Sequence, residues 1–407
     1  MRLLCACFIG LLVWLLPLDA QRDYFLEYRG QLPAKVFYGT KPQNVSLLGV
    51  DGKKGIIYAK MEGVGNMQFE LRSLKQQNIS RFELMLPKDV RTALRYLSNE
   101  QYSPKYLEII RPFIYKVLLY LEIPFEYLPI HDDCLTYAKA LVEMELFEEA
   151  FYLLSRLNLV KLDEFGYREF SETSLDLAGK MIAKTPKSAK VARALLQKVT
   201  IRDDAADHGA YLRLADSLRL QGLYSEAISE YMRLGPIVDV SANSPYKMIL
   251  QLWPVYCYIK LYETYSKGAA KDERYAAAAG KMFNLALQNM KKVEESPPDR
   301  QSNEFSLYKL IRALIRVQYA RQFEAGGNDQ KAKDFYRQSV LEVTEGIVNA
   351  RVGLTWLPES LMMAGDAYEN LELNEAARNV YKQVNVFFKS TKWASMSEEK
   401  LMRLPGS

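Results

Sequence analysis

The chain has 407 residues, of which 49% are hydrophobic and 25% are charged. This composition is typical of a folded protein with room for about two or three domains, and it excludes a disordered chain. The net charge is only +5 and no basic cluster concentrates it, which disfavours nucleic acid as a partner. The chain has only 2 histidines, so its composition gives little support to metal binding or to acid–base catalysis.

The N-terminus has the layout of a secretory signal peptide over residues 1–20. Arg2 precedes an uncharged, largely apolar run from 3 to 18, and cleavage is predicted after Ala20. The alternative is a retained membrane anchor, although the run is shorter than the roughly 20 residues that a span needs. We expect an exported protein, periplasmic or extracellular, with no stable membrane span after cleavage. If the segment is retained, the protein is membrane-associated.

Residues 21–87 predict a small β-rich module. Its predicted strands are short stretches with partly alternating apolar positions, at 34–39, 44–50, 54–62 and 67–74. The pair Asp51-Gly52 predicts a tight hairpin turn, because both residues tolerate positive backbone φ angles. We expect a small antiparallel, barrel-like module. Such modules commonly bind peptides or dock on a neighbouring domain, but no residue in this stretch selects a ligand.

From Pro87 onward, apolar residues recur three and four positions apart, which predicts helices almost to the end of the chain. Connecting helices are predicted over 88–130, with Pro104 at a helix start and Pro112 at a kink. A helical repeat domain follows over 131–390, and then a C-terminal tail over 391–407. Breaks within this region are predicted at Pro186, 239–245, 295–303, 325–329 and Pro358.

The mature chain would keep two cysteines, Cys134 and Cys257, which lie far apart in helical segments. Export permits disulfide bonds, but this spacing is unlike that of a disulfide scaffold. The sequence favours two buried free thiols over a bridge between them.

One pattern recurs four times in the helical region. Two small residues lie 12 positions apart, with large apolar or aromatic side chains around them, as at Ala215 and Ala227. The other pairs are Ala138 with Ala150, Ala320 with Ala332, and Gly365 with Ala377. Two antiparallel helices joined by a short turn approach closely only where each offers a small residue. The pattern therefore predicts helical hairpins.

This pattern resembles the tetratricopeptide repeat (TPR) family, whose unit is a helix–turn–helix of about 34 residues. Residues 211–231 match best, including Gly222 at the turn and Tyr224 after it. The family's tryptophan near the start of the unit and its terminal proline are missing from all four units. The units are not in simple tandem, and the gaps leave room for further hairpins over 175–199 and 256–287.

The resemblance implies a mainly α fold, in which a superhelix of TPR-like hairpins follows the small antiparallel β domain. The first helices of the hairpins would line a concave groove that binds a peptide or a partner protein. The family's groove-facing positions fall on Lys139, Glu143, Asp216, Arg219, Leu220, Arg321, Glu324, Asp366, Glu369 and Asn370. Their charges are mixed, and a solvated helix face is the alternative for each of them.

Signals for catalysis or metal binding are weak. The acidic run Asp203, Asp204, Asp207 with His208 could form a metal site, but a helix N-cap and first turn explain it better. The stretch 131–133 has the same explanation. We find no phosphate-binding glycine loop, nucleophile elbow or cysteine–histidine pair in the sequence. No catalytic residue, cofactor or metal is therefore predicted.

The sequence favours a non-catalytic, protein-binding scaffold or adaptor of the cell envelope or extracellular space. The alternative is an exported enzyme or enzyme subunit, with a site where the β module meets the first helices, over 87–135. Aromatic residues are concentrated there, namely Phe113, Tyr115, Tyr120, Phe125 and Tyr127. Core packing is the simpler explanation for them, whereas a pocket with converging polar groups would favour the enzyme.

Overall fold

The computed structural model describes residues 23–28, 30–240, 245–269, 272–350 and 354–405. The predicted signal segment, 1–20, lies outside the described residues. The chain divides into two compact units, one ending at Ile201 and one beginning at Arg202. This division differs from the predicted one, because the β module shares its unit with the helices that follow it.

The first unit contains a five-stranded antiparallel sheet in the order β4-β3-β2-β1-β5. A short helix, α1 (Tyr24–Glu27), precedes it. The strands are β1 (Leu32–Tyr38), β2 (Lys41–Asp51), β3 (Ile56–Met61), β4 (Gly65–Glu70) and β5 (Ile79–Leu84). The predicted antiparallel β domain is confirmed, with β5 as an additional strand. Since β4 and β5 are the two ends of the strand order, the described sheet is open, and a barrel-like closure is not found.

The hairpin between β2 and β3 forms where the sequence predicts it, but with a different turn. Asp51 pairs with Ile56 across the hairpin. The Asp51 carboxylate accepts hydrogen bonds from the backbone N–H groups of Lys53 and Lys54, both at 3.1 Å. The positive φ angle, +67°, falls on Gly55 and not on the Asp51-Gly52 pair. The turn is therefore longer than a two-residue loop.

The helices of the first unit begin directly after the sheet. They are α2 (Lys88–Ser98), α3 (Pro104–Val117), α4 (His131–Glu143), α5 (Phe147–Leu154), α6 (Leu159–Glu164), α7 (Glu169–Lys184) and α8 (Ala189–Leu196). Pro104 opens α3 and Pro112 lies inside it. Helices α4 and α5 are the hairpin predicted from Ala138 and Ala150, and α7 with α8 occupies the gap at 175–199.

The second unit, in its described parts, consists of four helical hairpins followed by one more helix. Their helices are α9 (Ala205–Leu220), α10 (Tyr224–Val240), α11 (Lys247–Ala269), α12 (Glu273–Glu295), α13 (Asn303–Ala325), α14 (Asp329–Val348), α15 (Leu357–Asn370), α16 (Asn374–Phe387) and α17 (Lys392–Arg403). The pair α11–α12 fills the gap at 256–287, so the hairpins follow one another in tandem. The predicted tail contains α17, which packs on the last hairpin, and Leu404 just after α17 belongs to the same buried cluster as Leu361 and Tyr381.

The paired small residues are buried in all four hairpins that contain them. Ala215 and Ala227 are 1% and 0% exposed, and the six corresponding residues of the other hairpins are also buried. At Gly365 the contact is closest, because a Cβ atom there would lie 2.8 Å from two ring carbons of Tyr381. The predicted hairpins are confirmed, and so is the mainly α fold preceded by a small antiparallel sheet.

Two further sequence predictions concern cysteines and the membrane. Cys134 and Cys257 are buried and unpaired, as predicted. Burial raises the pKa of the Cys134 thiol well above its usual value, so this thiol stays protonated at neutral pH. Within the described ranges, we find no helix with the length and apolar character needed to cross a membrane.

Candidate protein-binding faces

The first helices of three consecutive hairpins in the second unit lie side by side. The Gln318 amide of α13 donates to Glu263 of α11 at 2.7 Å, and the Tyr256 hydroxyl of α11 donates to Glu359 of α15 at 2.8 Å. We call the surface formed by α11, α13 and α15 the first-helix face. A face built in this way is what the TPR resemblance implies for a binding groove.

A cleft of about 490 Å³ runs along this face between α11 and α13. It is lined by Tyr262, Glu263, Ser266, Lys267, Gln318, Arg321, Gln322 and Ala325. The side chain of Arg321, a predicted groove residue, is 53% exposed, and its guanidinium lies 3.4 Å from the Glu263 carboxylate. The cleft therefore offers a cation, hydrogen-bonding amides and an aromatic ring to a ligand.

Beneath this cleft, buried ionic contacts hold the helices in place. The Lys260 ammonium lies 3.0 Å from Glu359 and 3.4 Å from Glu263. Burial alone would lower the pKa of Lys260, but Glu359, Tyr256 and Glu263 together outweigh the effect of burial, and the pKa lies well above its usual value. Lys260 pairs with both carboxylates and Arg321 supplies a second cation, so these contacts hold α11 against α13 and α15.

Arg219 lies in the interior, whereas the sequence placed it in the groove. Its side chain is only 6% exposed, and the guanidinium lies 3.5 Å from the ring centroid of Trp253. It also donates to the Tyr231 hydroxyl at 3.2 Å. Arg219 lies four positions after Ala215, which places both residues on the same buried face of the helix. This spacing already indicated that Arg219 would be buried. The adjacent Leu220 is exposed at the end of α9.

Carboxylates that the sequence assigned to the groove instead join the two helices of a hairpin. In each of three hairpins, a tyrosine hydroxyl of the second helix donates to a carboxylate of the first. The pairs are Tyr231 with Asp216 at 2.6 Å, Tyr336 with Glu324 at 3.0 Å, and Tyr381 with both Asp366 at 2.6 Å and Glu369 at 3.0 Å. In each pair the tyrosine follows the carboxylate by 12 or 15 positions. This spacing could have indicated the hydrogen bond, but the sequence analysis did not use it.

The last hairpin has an additional cation in this arrangement. The Lys400 ammonium of α17 lies 3.0 Å from Asp366 and 3.0 Å from Glu369. Asn370, another predicted groove residue, is exposed, and its amide donates to the backbone carbonyl of Asp366 at 2.8 Å. Asp366 and Glu369 therefore anchor the terminal helix, while Asn370 stays at the surface.

The two groove residues predicted in the first unit lie on an exposed face of α4. Glu143 accepts a hydrogen bond from Lys180 of α7 at 2.8 Å, so the first helices of two hairpins are again neighbours. Lys139 and Glu143 line a cleft of about 310 Å³ there. Its other ionisable side chains are carboxylates with one tyrosine, namely Glu100, Tyr102, Glu169, Glu172 and Asp176. This cleft is predominantly acidic.

Four of the five aromatic residues that suggested an enzyme site at 87–135 belong to the core of the first unit. Phe113, Tyr115, Tyr120 and Tyr127 are 1–8% exposed, and Phe125 is 43% exposed. Beside them lies a buried ion pair, in which the Arg111 guanidinium donates two hydrogen bonds to Glu149 at 2.8 and 2.9 Å. The Tyr137 hydroxyl donates to the same carboxylate at 2.6 Å.

The acidic runs serve as helix starts, as predicted. Helix α9 begins at Ala205, and the Asp204 side chain caps it by accepting from the Asp207 N–H at 2.8 Å. Asp132 and Asp133 lie in the first turn of α4, where the helix dipole favours negative charge. In the described parts of the chain, no group of three or more His, Cys, Asp or Glu side chains could hold a metal ion.

Asp133 gives the first unit an expected pH dependence. Burial and the neighbouring Asp132 raise the pKa of Asp133 to about 6. Because this pKa lies above the value in the unfolded chain, ionisation favours unfolding, and this contribution to stability is lost as pH rises from about 4 to 6. Asp133→Asn is expected to stabilise the unit by about 1–2 kcal/mol at pH 8 and to have little effect at pH 4. Urea denaturation at both pH values measures this, and an equal effect at both would contradict it.

Comparison of the sequence with models of known protein families finds no match, and comparison with curated protein sequences finds no similar protein. The class of protein is therefore defined by the structure itself. The protein is mainly helical, and its described hairpins follow one another in tandem. In the second unit, the first helices of three successive hairpins form a polar face that contains a cleft.

Proposed function

We propose that the chain is an exported, non-catalytic scaffold or adaptor whose TPR-like hairpins bind a partner protein or an extended peptide. The first-helix face of the second unit is the proposed binding surface. The observation that carries this proposal is the cleft between α11 and α13, whose lining residues all come from the first helices of two successive hairpins. The signal-peptide layout of residues 1–20 supports export.

The side chains of the cleft suit a peptide better than a compact small molecule. The cleft is open along the helices, and Gln322 and Lys267 are exposed at its surface. Amide and guanidinium groups can bind the backbone carbonyls and acidic side chains of an extended segment, while Tyr262 offers an aromatic surface for a side chain. The small basic excess of the chain gives no reason to invoke nucleic acid.

Site-specific photo-crosslinking tests this proposal with matched positions. A photoreactive residue at Gln322 lies in the cleft, and one at Gln338 lies exposed on α14, the second helix of the same hairpin. In envelope or extracellular fractions, we expect a partner to be captured from position 322 and not from 338. Equal capture from both positions, or capture from 338 alone, would move the binding surface away from the first-helix face.

Charge reversal provides the second arm of this test. Arg321→Glu is expected to reduce capture from position 322 by about tenfold, because it removes one charge-assisted contact. Arg337→Glu is the control, since Arg337 has a similar side-chain exposure, 57% against 53%, and also forms one ion pair. A partner retained by the Arg321 variant would contradict a role for this cation.

A further inference from the structure

The first unit has another cleft, whose chemistry differs from that of the acidic cleft at Lys139 and from that of the first-helix face. It has a volume of about 580 Å³ and lies at the end of α3 and the start of α6. It is lined by Phe25, Leu118, Leu119, Leu121, Glu122, Ser155, Arg156, Leu157, Asn158, Lys161, Leu162 and Lys198. We call it the basic cleft. Its volume lies within the range of small-molecule sites, about 300–1,000 Å³.

The charges of the basic cleft are not balanced. It contains the cations Arg156, Lys161 and Lys198, and Glu122 is its one carboxylate. Glu122 is already paired with Lys161, at 2.9 Å. Two cations therefore remain for an anion that enters the cleft.

Among the described residues, no carboxylate lies within hydrogen-bond distance of Arg156 or Lys198, although the Arg156 guanidinium lies 4.2 Å from the ring centroid of Tyr152. The carboxylate nearest to Arg156 is Asp23 at 3.9 Å, beyond hydrogen-bond distance. Asp23 is itself engaged by the Tyr152 hydroxyl and by two backbone N–H groups of α1. The Lys198 ammonium donates to the Ser155 carbonyl, and burial together with the nearby Arg156 lowers the pKa of Lys198. A negative group between the two cations would relieve this repulsion.

Apart from Ser155 and Asn158, the remaining walls of the cleft are apolar. Phe25 comes from α1, and five leucines come from the end of α3 and the segment before and within α6. Leu119 is 49% exposed, although it lies in a cleft that could bury it. The other four leucines are only 3–8% exposed, so Leu119 and the half-buried Phe25 are the apolar groups that a ligand can cover. The ligand that matches the cleft has one anionic group and an apolar chain, because the chain covers Leu119 and Phe25 while the anion contacts the cations.

We propose that the basic cleft binds an amphiphilic anion, a single carboxylate or phosphate headgroup carrying an apolar chain. Arg156 and Lys198 bind the headgroup, and Phe25 with Leu119 covers the chain. This site lies wholly in the first unit and does not depend on peptide binding by the second. The carboxylate and phosphate headgroups share the same recognition chemistry, and the experiment separates them.

Isothermal titration of the purified full-length chain tests this proposal with probes of one chain length. Decanoate and decyl phosphate, both below their micelle concentrations, carry the two headgroups, while decanol lacks the charge and inorganic phosphate lacks the chain. We expect at least one of the two anions to bind at least tenfold more tightly than decanol or inorganic phosphate. The tighter of the two identifies the headgroup.

Variants at exposed positions keep the fold intact and locate the site. Lys198→Gln and Arg156→Gln are each expected to weaken the preferred anion by about tenfold, and Leu119→Asn by about fivefold. Lys190→Gln, an exposed lysine of α8 outside the cleft, is the control and should bind like the unchanged chain. Decanol binding equal to that of the anions would overturn the proposal. So would unchanged binding by all three cleft variants, or binding to anionic vesicles without binding to the monomeric anions.

Discussion

Glu149→Ala is expected to lower the free energy of unfolding of the first unit by about 3–5 kcal/mol. Glu149 is 9% exposed and accepts two hydrogen bonds from Arg111, whose side chain is 16% exposed. Its carboxylate also accepts from the hydroxyls of Tyr137 at 2.6 Å and Tyr115 at 3.4 Å. Removing it leaves a buried guanidinium and two buried hydroxyls without their common acceptor, which costs more than the lost contacts alone.

The measurement is urea denaturation followed by circular dichroism, with Glu148→Ala as the control. Glu148 is the neighbouring residue on α5 and is exposed, so its replacement should change the unfolding free energy by less than about 0.5 kcal/mol. An effect of Glu149→Ala as small as that of the control would show that Arg111 finds water or another acceptor.

A double replacement separates the ion pair from the space that it fills. Arg111→Met with Glu149→Leu removes both charges while keeping apolar volume at the site. This variant is expected to be more stable than Glu149→Ala, because no unpaired charge remains buried. If the double variant is the less stable of the two, the cost lies in packing and not in the unpaired guanidinium.

The hairpins could be predicted from the sequence because each depends on residues close together in the chain. Ala215 and Ala227 mark the contact between two helices joined by a short turn, and spacing alone identifies such a contact. Strand β5 was not predicted, since its burial pattern repeats every three residues, with Ile79 and Phe82 buried, and not every two. Helix α17 was also missed, because few of its residues are buried and its sequence is largely polar.

The candidate site was less predictable, because contacts between hairpins decide which side chains remain exposed. Arg219 is buried against Trp253, a residue of the next hairpin, and Tyr256 donates to Glu359, 103 residues later. The spacing of residues within one hairpin does not show which residues of another hairpin they will contact. Arg321 keeps an exposed position in the cleft, whereas Arg219 is covered by the next hairpin, and the spacing within each hairpin does not distinguish the two.

Gly365→Ala is expected to destabilise the second unit by about 2–3 kcal/mol, although alanine is the better helix former. The new Cβ would lie 2.8 Å from Cδ1 and Cζ of Tyr381, well inside van der Waals contact. The tyrosine cannot move away at low cost, because its ring is fully buried and its hydroxyl donates to Asp366 and Glu369. Overpacking therefore outweighs the gain in helix propensity, which is about 1 kcal/mol.

Gly280→Ala is the matched control for this substitution. Gly280 also lies inside a helix, α12, but a Cβ there meets nothing within 4 Å. This change is expected to stabilise the unit by about 0.5–1 kcal/mol, since it restricts the unfolded chain without a clash. Urea denaturation of both variants gives the comparison, and stabilisation of both by similar amounts would contradict the close contact at Gly365.

The same contact can be relaxed from the other helix. In a Tyr381→Phe background the ring loses its hydrogen bonds to Asp366 and Glu369, so it can shift when the methyl group is added. Gly365→Ala should then cost about 1 kcal/mol less than it does beside the native tyrosine. An unchanged cost would mean that the surrounding core, and not the hydroxyl, holds the ring. Asp366 and Glu369 keep the Lys400 ammonium of α17 as a partner, so the Tyr381→Phe background does not leave these carboxylates unpaired.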